Sequence, residues 1–77
     1  MTSEQVRAAR ALLRWEQKRL AEASGVSLAS IKRLEALPGV VKAQPLTLRA
    51  IRSALESAGV IFVQENGEGA GVRLRKG

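Results

Sequence analysis

The feature that most constrains the fold is a helical segment, residues 17–36, that is interrupted near its middle. Apolar and small side chains recur at helical spacing, stop at Gly25, and resume after Ser27 with Ile31 and Leu34 three residues apart. A glycine can adopt the positive φ that ends a helix, and a serine hydroxyl can cap the free amides of the next one. The pattern therefore predicts two short helices across a tight corner.

Ala21 determines how closely these two helices can approach each other. Because its side chain is only a methyl group, the two backbones can cross in near contact at a steep angle. This is the spacing of a helix-turn-helix, in which the second helix is held out to enter the major groove of DNA. We expect the first helix over residues 17–24 and the second over residues 27–36.

The same segment resembles a known family, the small prokaryotic regulators of the phage-repressor and Cro type (XRE family). The residues that fall at equivalent positions are Gln17, Leu20, Ala21, Gly25, Val26, Ser27, Ile31, Leu34 and Glu35. The resemblance covers residues 3–58, and the final stretch is less typical. Glu16 departs from the family pattern, which usually has Ser, Thr or Asn there, so we expect a weaker cap at the start of the first of the two helices.

The remaining predicted elements each begin or end at a residue type that specifies the boundary. They are a helix from near Ser3 to about Arg14 with a Thr2–Gln5 capping box, a helix capped by Thr47 and ending near Ala58, and a β-hairpin formed by Val60–Val63 and Val72–Arg75. The predicted fold class is thus mainly α: a four-helix, phage-repressor-like helix-turn-helix domain, residues 1–58, with a C-terminal β-hairpin, residues 59–77, in the same compact unit.

The titratable side chains argue against an enzyme. The chain contains no His, Cys, Asp or Tyr, and its seven acidic residues are all Glu. Nucleophilic triads, thiolate or imidazole metal sites and disulfides are therefore excluded, and we predict no catalysis, cofactor or metal. No signal-like or membrane-spanning apolar stretch is visible, so we expect a cytoplasmic protein without a membrane partner.

The net charge favours nucleic acid as the partner. Thirteen Lys and Arg against seven Glu give +6, although many small domains are basic merely for solubility. Position decides between these interpretations, because Lys32 and Arg33 both lie on the second helix of the predicted helix-turn-helix. Double-stranded DNA is therefore the expected partner.

Five residues of the second helix are candidates for facing the major groove. With Ile31 and Leu34 inward, the residues that point outward are Ala29, Arg33, Ala36 and, slightly aside, Lys32. Leu28 lies on the flank at the first turn. Arg33 is the best base reader, because a guanidinium can span guanine O6 and N7, and Lys32 can do likewise or grip a phosphate. Ala29 and Leu28 offer only apolar contact, for instance to a thymine methyl, and Leu28 can equally belong to the core.

Four other residues are candidates for contact with phosphates. Ser27, Ser30 and the amide of Gln17 lie near helix starts, where hydroxyls and free N–H groups suit phosphate oxygens. The family resemblance also implies this role for Gln17, and it implies that the loop carrying Lys42 runs along the DNA backbone. A solvated loop lysine is the alternative for Lys42.

Arginines recur along the first predicted helix at Arg7, Arg10 and Arg14. For Arg7 and Arg14 we weigh a phosphate-facing row against a solvated face. Arg10 is expected to differ, because Glu35 falls about 70° from the centre of the buried face of its helix. In the resembling family a Glu here commonly pairs with an Arg of the first helix. We therefore predict a partly buried Arg10–Glu35 ion pair.

A chain of 77 residues often relies on a partner subunit for part of its stability. The fourth helix carries an apolar band wider than one neighbour requires, and the first strand is apolar on both sides. We therefore predict a homodimer. The predicted interface residues are Ile51, Ala54, Leu55, Ala58, Ile61, Phe62 and Val63.

Together these patterns predict a dimeric, sequence-specific DNA-binding transcriptional regulator. It would act as a repressor or autoregulator that reads an inverted-repeat operator through the helix over residues 27–36. The alternative is a protein-interaction module, such as an antiactivator or an antitoxin, that uses the fourth helix and the hairpin to hold a protein partner.

Overall fold

The computed structural model describes residues 1–64 and 67–76. Its elements in chain order are α1 (Ser3–Leu13), α2 (Gln17–Ser24), α3 (Leu28–Ala36), α4 (Pro45–Ser57), β1 (Val60–Val63) and β2 (Gly71–Leu74). A compact, mainly helical domain with four helices and a small antiparallel hairpin is thus confirmed. Part of the predicted hairpin turn, at Glu65 and Asn66, lies outside the described residues.

The start of α1 is the predicted capping box. The Thr2 Oγ1 accepts a 3.1 Å hydrogen bond from the Gln5 amide, and the Thr2 amide donates to Gln5 Oε1 at 2.9 Å. The helix ends at Arg14, which adopts the left-handed conformation with φ 57°. The Trp15 amide then reaches back to the carbonyl of Arg10 at 2.8 Å, the long bond of a Schellman motif.

The corner between α2 and α3 forms as predicted, with a glycine at the end of α2 and a serine cap at the start of α3. Gly25 ends α2 with φ 74° and donates its amide to the carbonyl of Ala21 at 2.9 Å. Ser27 caps α3, because its Oγ accepts from the Ser30 amide at 3.2 Å. Glu16, at the N-cap of α2, makes no side-chain cap hydrogen bond. The weaker cap expected there is therefore observed.

The prediction for the start of α4 is wrong. Thr47 does not cap this helix; Gln44 occupies the N-cap position and Pro45 the first turn. The physical reason is that proline has the φ of a helix already fixed, and the N–H it lacks would have no partner in the first turn. The helix therefore begins two residues before the predicted cap.

The core is one cluster that takes side chains from every helix, from the segment before α4 and from β1. Its buried members are Val6, Ala9, Leu20, Ile31, Leu34, Val41, Ile51, Leu55 and Val60. α4 lies against both α2 and β1. This places the α4 stripe inside the domain.

That placement corrects part of the predicted dimer interface. Ile51 and Leu55 are fully buried by the chain itself, because α4 turns this stripe toward α2 and the core. Neither side chain is accessible to a second subunit in this conformation. An apolar stripe on a helix looks the same in sequence whether it meets its own domain or another one.

The hairpin pairs β1 with β2 antiparallel and rests on the helices. β2 lies against α1, and β1 lies against α4. The buried Gln5 fastens the hairpin to α1, since its Nε2 donates to the carbonyls of Gly71 at 3.0 Å and Val63 at 3.3 Å. One side chain therefore serves both the start of α1 and the end of the hairpin near the turn. Within the described residues, no helix has the length and apolarity needed to cross a bilayer.

Candidate nucleic-acid interface

The exposed side of α3 is small and cationic. Ala29, Lys32, Arg33 and Ala36 are all exposed, at positions that share one side of a helix, and we call them the outer face of α3. Ile31 and Leu34 on the opposite side belong to the core, and Leu28 is half-buried at the first turn. Lys32 and Arg33 therefore point away from the domain.

Two serines at the start of α3 form a short hydrogen-bond chain with Arg33. The Ser27 Oγ donates to the Ser30 Oγ at 2.9 Å, and the Arg33 Nη2 donates to the same Ser30 Oγ at 3.3 Å. Ser30 thus accepts two hydrogen bonds, and one of them holds the guanidinium along the helix. The two serines predicted to meet phosphate are therefore already linked to the predicted base reader.

A groove of about 750 Å³ runs between α3 and the segment that leads into α4. Among the described residues that line it, Arg33 and Lys42 are the charged ones, and the walls include the apolar side chains of Leu37 and Val40. The predicted base reader and the predicted loop phosphate contact therefore share one basic surface.

Residues of α1 hold the end of α3 through its main chain. The Arg7 Nη1 donates to the Glu35 carbonyl at 2.7 Å, and the Ser3 Oγ donates to the Leu37 carbonyl at 2.7 Å. Because the last carbonyls of a helix have no partner within it, these two bonds satisfy groups that would otherwise need water. Arg7 thus joins α1 to α3 while its side chain is 43% exposed, so the phosphate-facing and the solvated alternatives for it both stay predictions. Arg14 is exposed at the end of α1.

Glu35 lies where α1, α2 and α3 meet, and it is 4% exposed. Arg10 approaches its carboxylate with two hydrogen bonds, 2.8 Å from Nε and 2.7 Å from Nη2, and this is the predicted ion pair. Gln17 donates its Nε2 to the same carboxylate at 3.1 Å. The single acidic side chain of α3 is thus neutralised and turned inward. Because the side chain of Gln17 is engaged there too, the predicted phosphate contact of this residue falls to its main-chain amide.

The segment before Lys42 is fastened to the start of the chain. The Ser3 amide donates to the Gly39 carbonyl at 2.9 Å, and the Val41 amide donates to the Met1 carbonyl at 3.1 Å. In the other direction, the Gly39 amide donates to the carboxylate of Glu4 at 3.0 Å. This hydrogen bond to the charged form is the main reason that the pKa of Glu4 is lowered below its ordinary value of 4.5.

The most exposed large apolar side chains have no predicted functional role. Leu37 and Val40 are each 72% exposed, and Leu46 is 73% exposed. All three lie in or beside the segment that carries two prolines, where no helical or strand period assigns a side chain to a face. The one signal in the sequence for these three residues is that the segment lacks helical or strand periodicity.

The other predicted interface residues are half-buried, and some already have partners. Ala54 and Phe62 pack against the core, and the guanidinium of Arg52 lies 4.9 Å from the centre of the Phe62 ring. Because strand side chains alternate, Ile61 and Val63 lie on the other face of the hairpin from Phe62. Of the predicted set, these two strand residues and the half-buried Ala58 remain for contact with a second subunit.

The titratable groups build no metal site in the described part of the chain, since no cluster of three His, Cys, Asp or Glu side chains occurs there. Comparison with known proteins adds no assignment, because no protein-family model matches the chain and no curated protein matches its sequence.

Proposed function

We propose that this chain is a sequence-specific, double-stranded DNA-binding transcriptional regulator of the XRE helix-turn-helix type. The observation that carries the proposal is the outer face of α3. It presents two cations and two methyl groups, while the carboxylate of Glu35 on the same helix is paired inward with Arg10. A helix face of this kind fits a narrow, strongly negative cleft.

The size and charge of the outer face suit the major groove of DNA. That groove is about 12 Å wide and admits one α-helix. The small side chains of Ala29 and Ala36 let the helix backbone come near the base edges. Lys32 and Arg33 attract the polyanion, and each phosphate neutralised releases counterions, which makes binding sensitive to salt.

The surfaces beside α3 support contacts to the phosphate backbone. Lys42 lines the groove next to Arg33, and its segment is held by main-chain hydrogen bonds to the first residues of the chain. On the other side, the exposed Ser27 lies at the start of α3, and Gln17 lies at the start of α2. Helix starts carry free N–H groups that suit phosphate oxygens.

We further propose that the regulator acts as a homodimer. Ala58, Ile61 and Val63 supply the contact surface, since Ile51 and Leu55 are committed to the core. A two-fold axis would set two copies of α3 about 34 Å apart, which corresponds to an inverted-repeat operator. Occupation of a promoter would then exclude the polymerase.

One observation favours a second function, a protein-interaction module such as an antiactivator or antitoxin. Leu37, Val40 and Leu46, within ten residues of the chain, are each more than 70% exposed, and exposed apolar surface of this kind often marks protein contacts when it is contiguous. In this alternative a protein partner, and not DNA, covers the surface beside α3.

Binding to a random pool of DNA duplexes, with sequencing of the bound fraction, separates the two functions. DNA binding predicts an enriched inverted repeat whose affinity falls steeply with salt. Arg33→Ala should cost about 1–3 kcal/mol of specific binding and leave non-specific binding intact, whereas Lys42→Ala should weaken all sequences alike and reduce the salt slope by about one. Arg75→Ala, at an exposed arginine after β2, is the matched control. Enrichment of no sequence would overturn the proposal.

A further inference from the structure

The hydrogen-bonding groups on the outer face of α3 are all donors. Lys32 carries three N–H donors and Arg33 carries five, and neither side chain has an acceptor. Ala29 and Ala36 add only methyl groups. Carboxylate and amide acceptors are absent from this face, because Glu35 is turned inward against Arg10.

The nearest side-chain acceptors on α3 are already occupied. The Ser30 Oγ accepts from both the Ser27 Oγ and Arg33, and the Ser27 Oγ accepts from the Ser30 amide. A hydroxyl oxygen has two lone pairs, so Ser30 has no acceptor capacity left in this arrangement. Ser27 keeps one lone pair, but it lies at the N-cap and not on the outer face of α3. The outer face therefore recognises hydrogen-bond acceptors on its ligand and not donors.

The base edges in the major groove differ in this property. Guanine presents two acceptors, O6 and N7, whereas adenine pairs an acceptor with an amino donor and cytosine offers an amino donor. The structure assigns to Arg33 the reading of a guanine, and to Ala29 the contact with a thymine methyl group. This inference rests on the proposed function, and it names the base chemistry that the operator must contain.

Ser30 acts here as a positioning residue. Its hydrogen bond to the Arg33 Nη2 uses one of the five N–H groups, so a pair remains for the guanine edge. A guanidinium held before binding loses less rotational freedom when it meets a base. Ser30 thus sharpens the preference for guanine without itself contacting a base.

The length of the outer face limits how much sequence it reads. At 1.5 Å per residue, Ala29 and Ala36 lie about 10 Å apart along the helix axis, and Ala29 and Arg33 about 6 Å apart. Base pairs are stacked every 3.4 Å along the duplex, so the face spans about three of them. The guanine and the thymine of each half-site should therefore lie within about two base steps of each other.

Base analogues in the enriched operator test the assignment with the unaltered full chain. Replacing the contacted guanine by 7-deazaguanine removes N7, and binding should weaken about 10-fold or more, as for a hydrogen bond to a charged donor. Replacing the contacted thymine by uracil removes one methyl group and should weaken binding about 3- to 4-fold. An operator in which no 7-deazaguanine substitution weakens binding would overturn this inference and leave the proposed function standing.

Variants of the two α3 side chains give a second readout. Arg33→Gln should change the preferred base at one position of each half-site from guanine to adenine, because a carboxamide pairs with adenine N6 and N7. Ser30→Ala should reduce the discrimination between guanine and adenine while non-specific affinity is unchanged. Arg75→Gln is the control and should alter neither. Retention of the guanine preference in Arg33→Gln would also overturn the assignment, and enrichment of no sequence at all would remove the proposed function with it.

Discussion

Arg10 and Glu35 are joined across the contact between α1 and α3 by two parallel hydrogen bonds, and the Glu35 side chain is 3% exposed. Removing one partner of such a pair leaves a buried charge without compensation. We expect Glu35→Ala to lower the free energy of unfolding by about 3–5 kcal/mol, measured by urea denaturation.

The matched control for this variant is Glu56→Ala. Glu56 pairs with Arg52 at 3.1 Å, but both side chains are close to half exposed, and such pairs contribute roughly 0–1 kcal/mol. Similar losses in the two variants would show that the Arg10–Glu35 pair is no more important than a surface contact.

Gln5 links the start of α1 to the hairpin, so its replacement should affect both. Gln5→Ala removes the acceptor for the Thr2 amide and the donor to the Val63 and Gly71 carbonyls. We expect a loss of about 1–3 kcal/mol in stability. Amide hydrogen exchange should accelerate in β1 and β2 more than in α3.

Gln5→Glu separates the two roles. It keeps the acceptor for Thr2 but places an oxygen against the Val63 and Gly71 carbonyls. We expect amide hydrogen exchange to become faster in β1 and β2 and to stay unchanged in the first turn of α1. Unchanged exchange in the hairpin would show that Gln5 does not fasten it.

Arg14 adopts φ 57°, a conformation that costs a residue with a Cβ about 1 kcal/mol and costs glycine nothing. We expect Arg14→Gly to raise the thermal midpoint, although the freer unfolded chain offsets part of the gain. Arg14→Ala keeps the Cβ and removes the charge, so it should leave the midpoint nearly unchanged. Equal effects of the two substitutions would attribute the change to the charge instead.

Glu4 should give the contact with Gly39 a pH dependence. The pKa of Glu4 is lowered in the folded chain by the Gly39 amide, so the contact contributes above the ordinary value of 4.5 and is lost as the pH falls through the lower, folded value. The amide resonance of Gly39 should follow this titration in NMR spectra, with a midpoint below 4.5. Glu4→Gln should abolish it. A midpoint at or above 4.5 would contradict the hydrogen bond.

The dimer proposal is tested at Ile61, which lies on the hairpin face away from Phe62. Ile61→Lys places a charge in the proposed contact and should shift the chain toward monomer in sedimentation experiments. Leu12→Lys, at an exposed apolar residue of α1, is the control and should leave the assembly unchanged. A wild-type chain that is monomeric at micromolar concentration would remove the proposal.

The boundaries around the α2–α3 corner could be predicted from sequence because single residues decide them. Only glycine takes φ 74° freely at position 25, and the Ser27 hydroxyl satisfies an amide that α3 itself cannot. The Arg10–Glu35 pair could also be predicted, because helical periodicity places Glu35 beside the buried face and the family resemblance implies an arginine partner on the first helix.

Other features could not be predicted, because they depend on main-chain atoms that are the same in every residue or on how the helices pack. Arg7 meets a main-chain carbonyl, and the segment around Gly39 is bound to the first residues mostly through backbone groups, which every residue possesses. The burial of Ile51 likewise depends on where α2 lies relative to α4. Only the assembled chain determines such relationships.

α1 fastens the last turn of α3 largely by way of carbonyl oxygens, at Glu35 and Leu37, and by one carboxylate. The side chains of Ala29, Lys32 and Arg33 take no part in that attachment. The attachment of α3 and the proposed base preference consequently depend on separate positions. If α3 binds DNA as proposed, substitutions at its exposed positions change the preferred sequence at a small cost in thermodynamic stability.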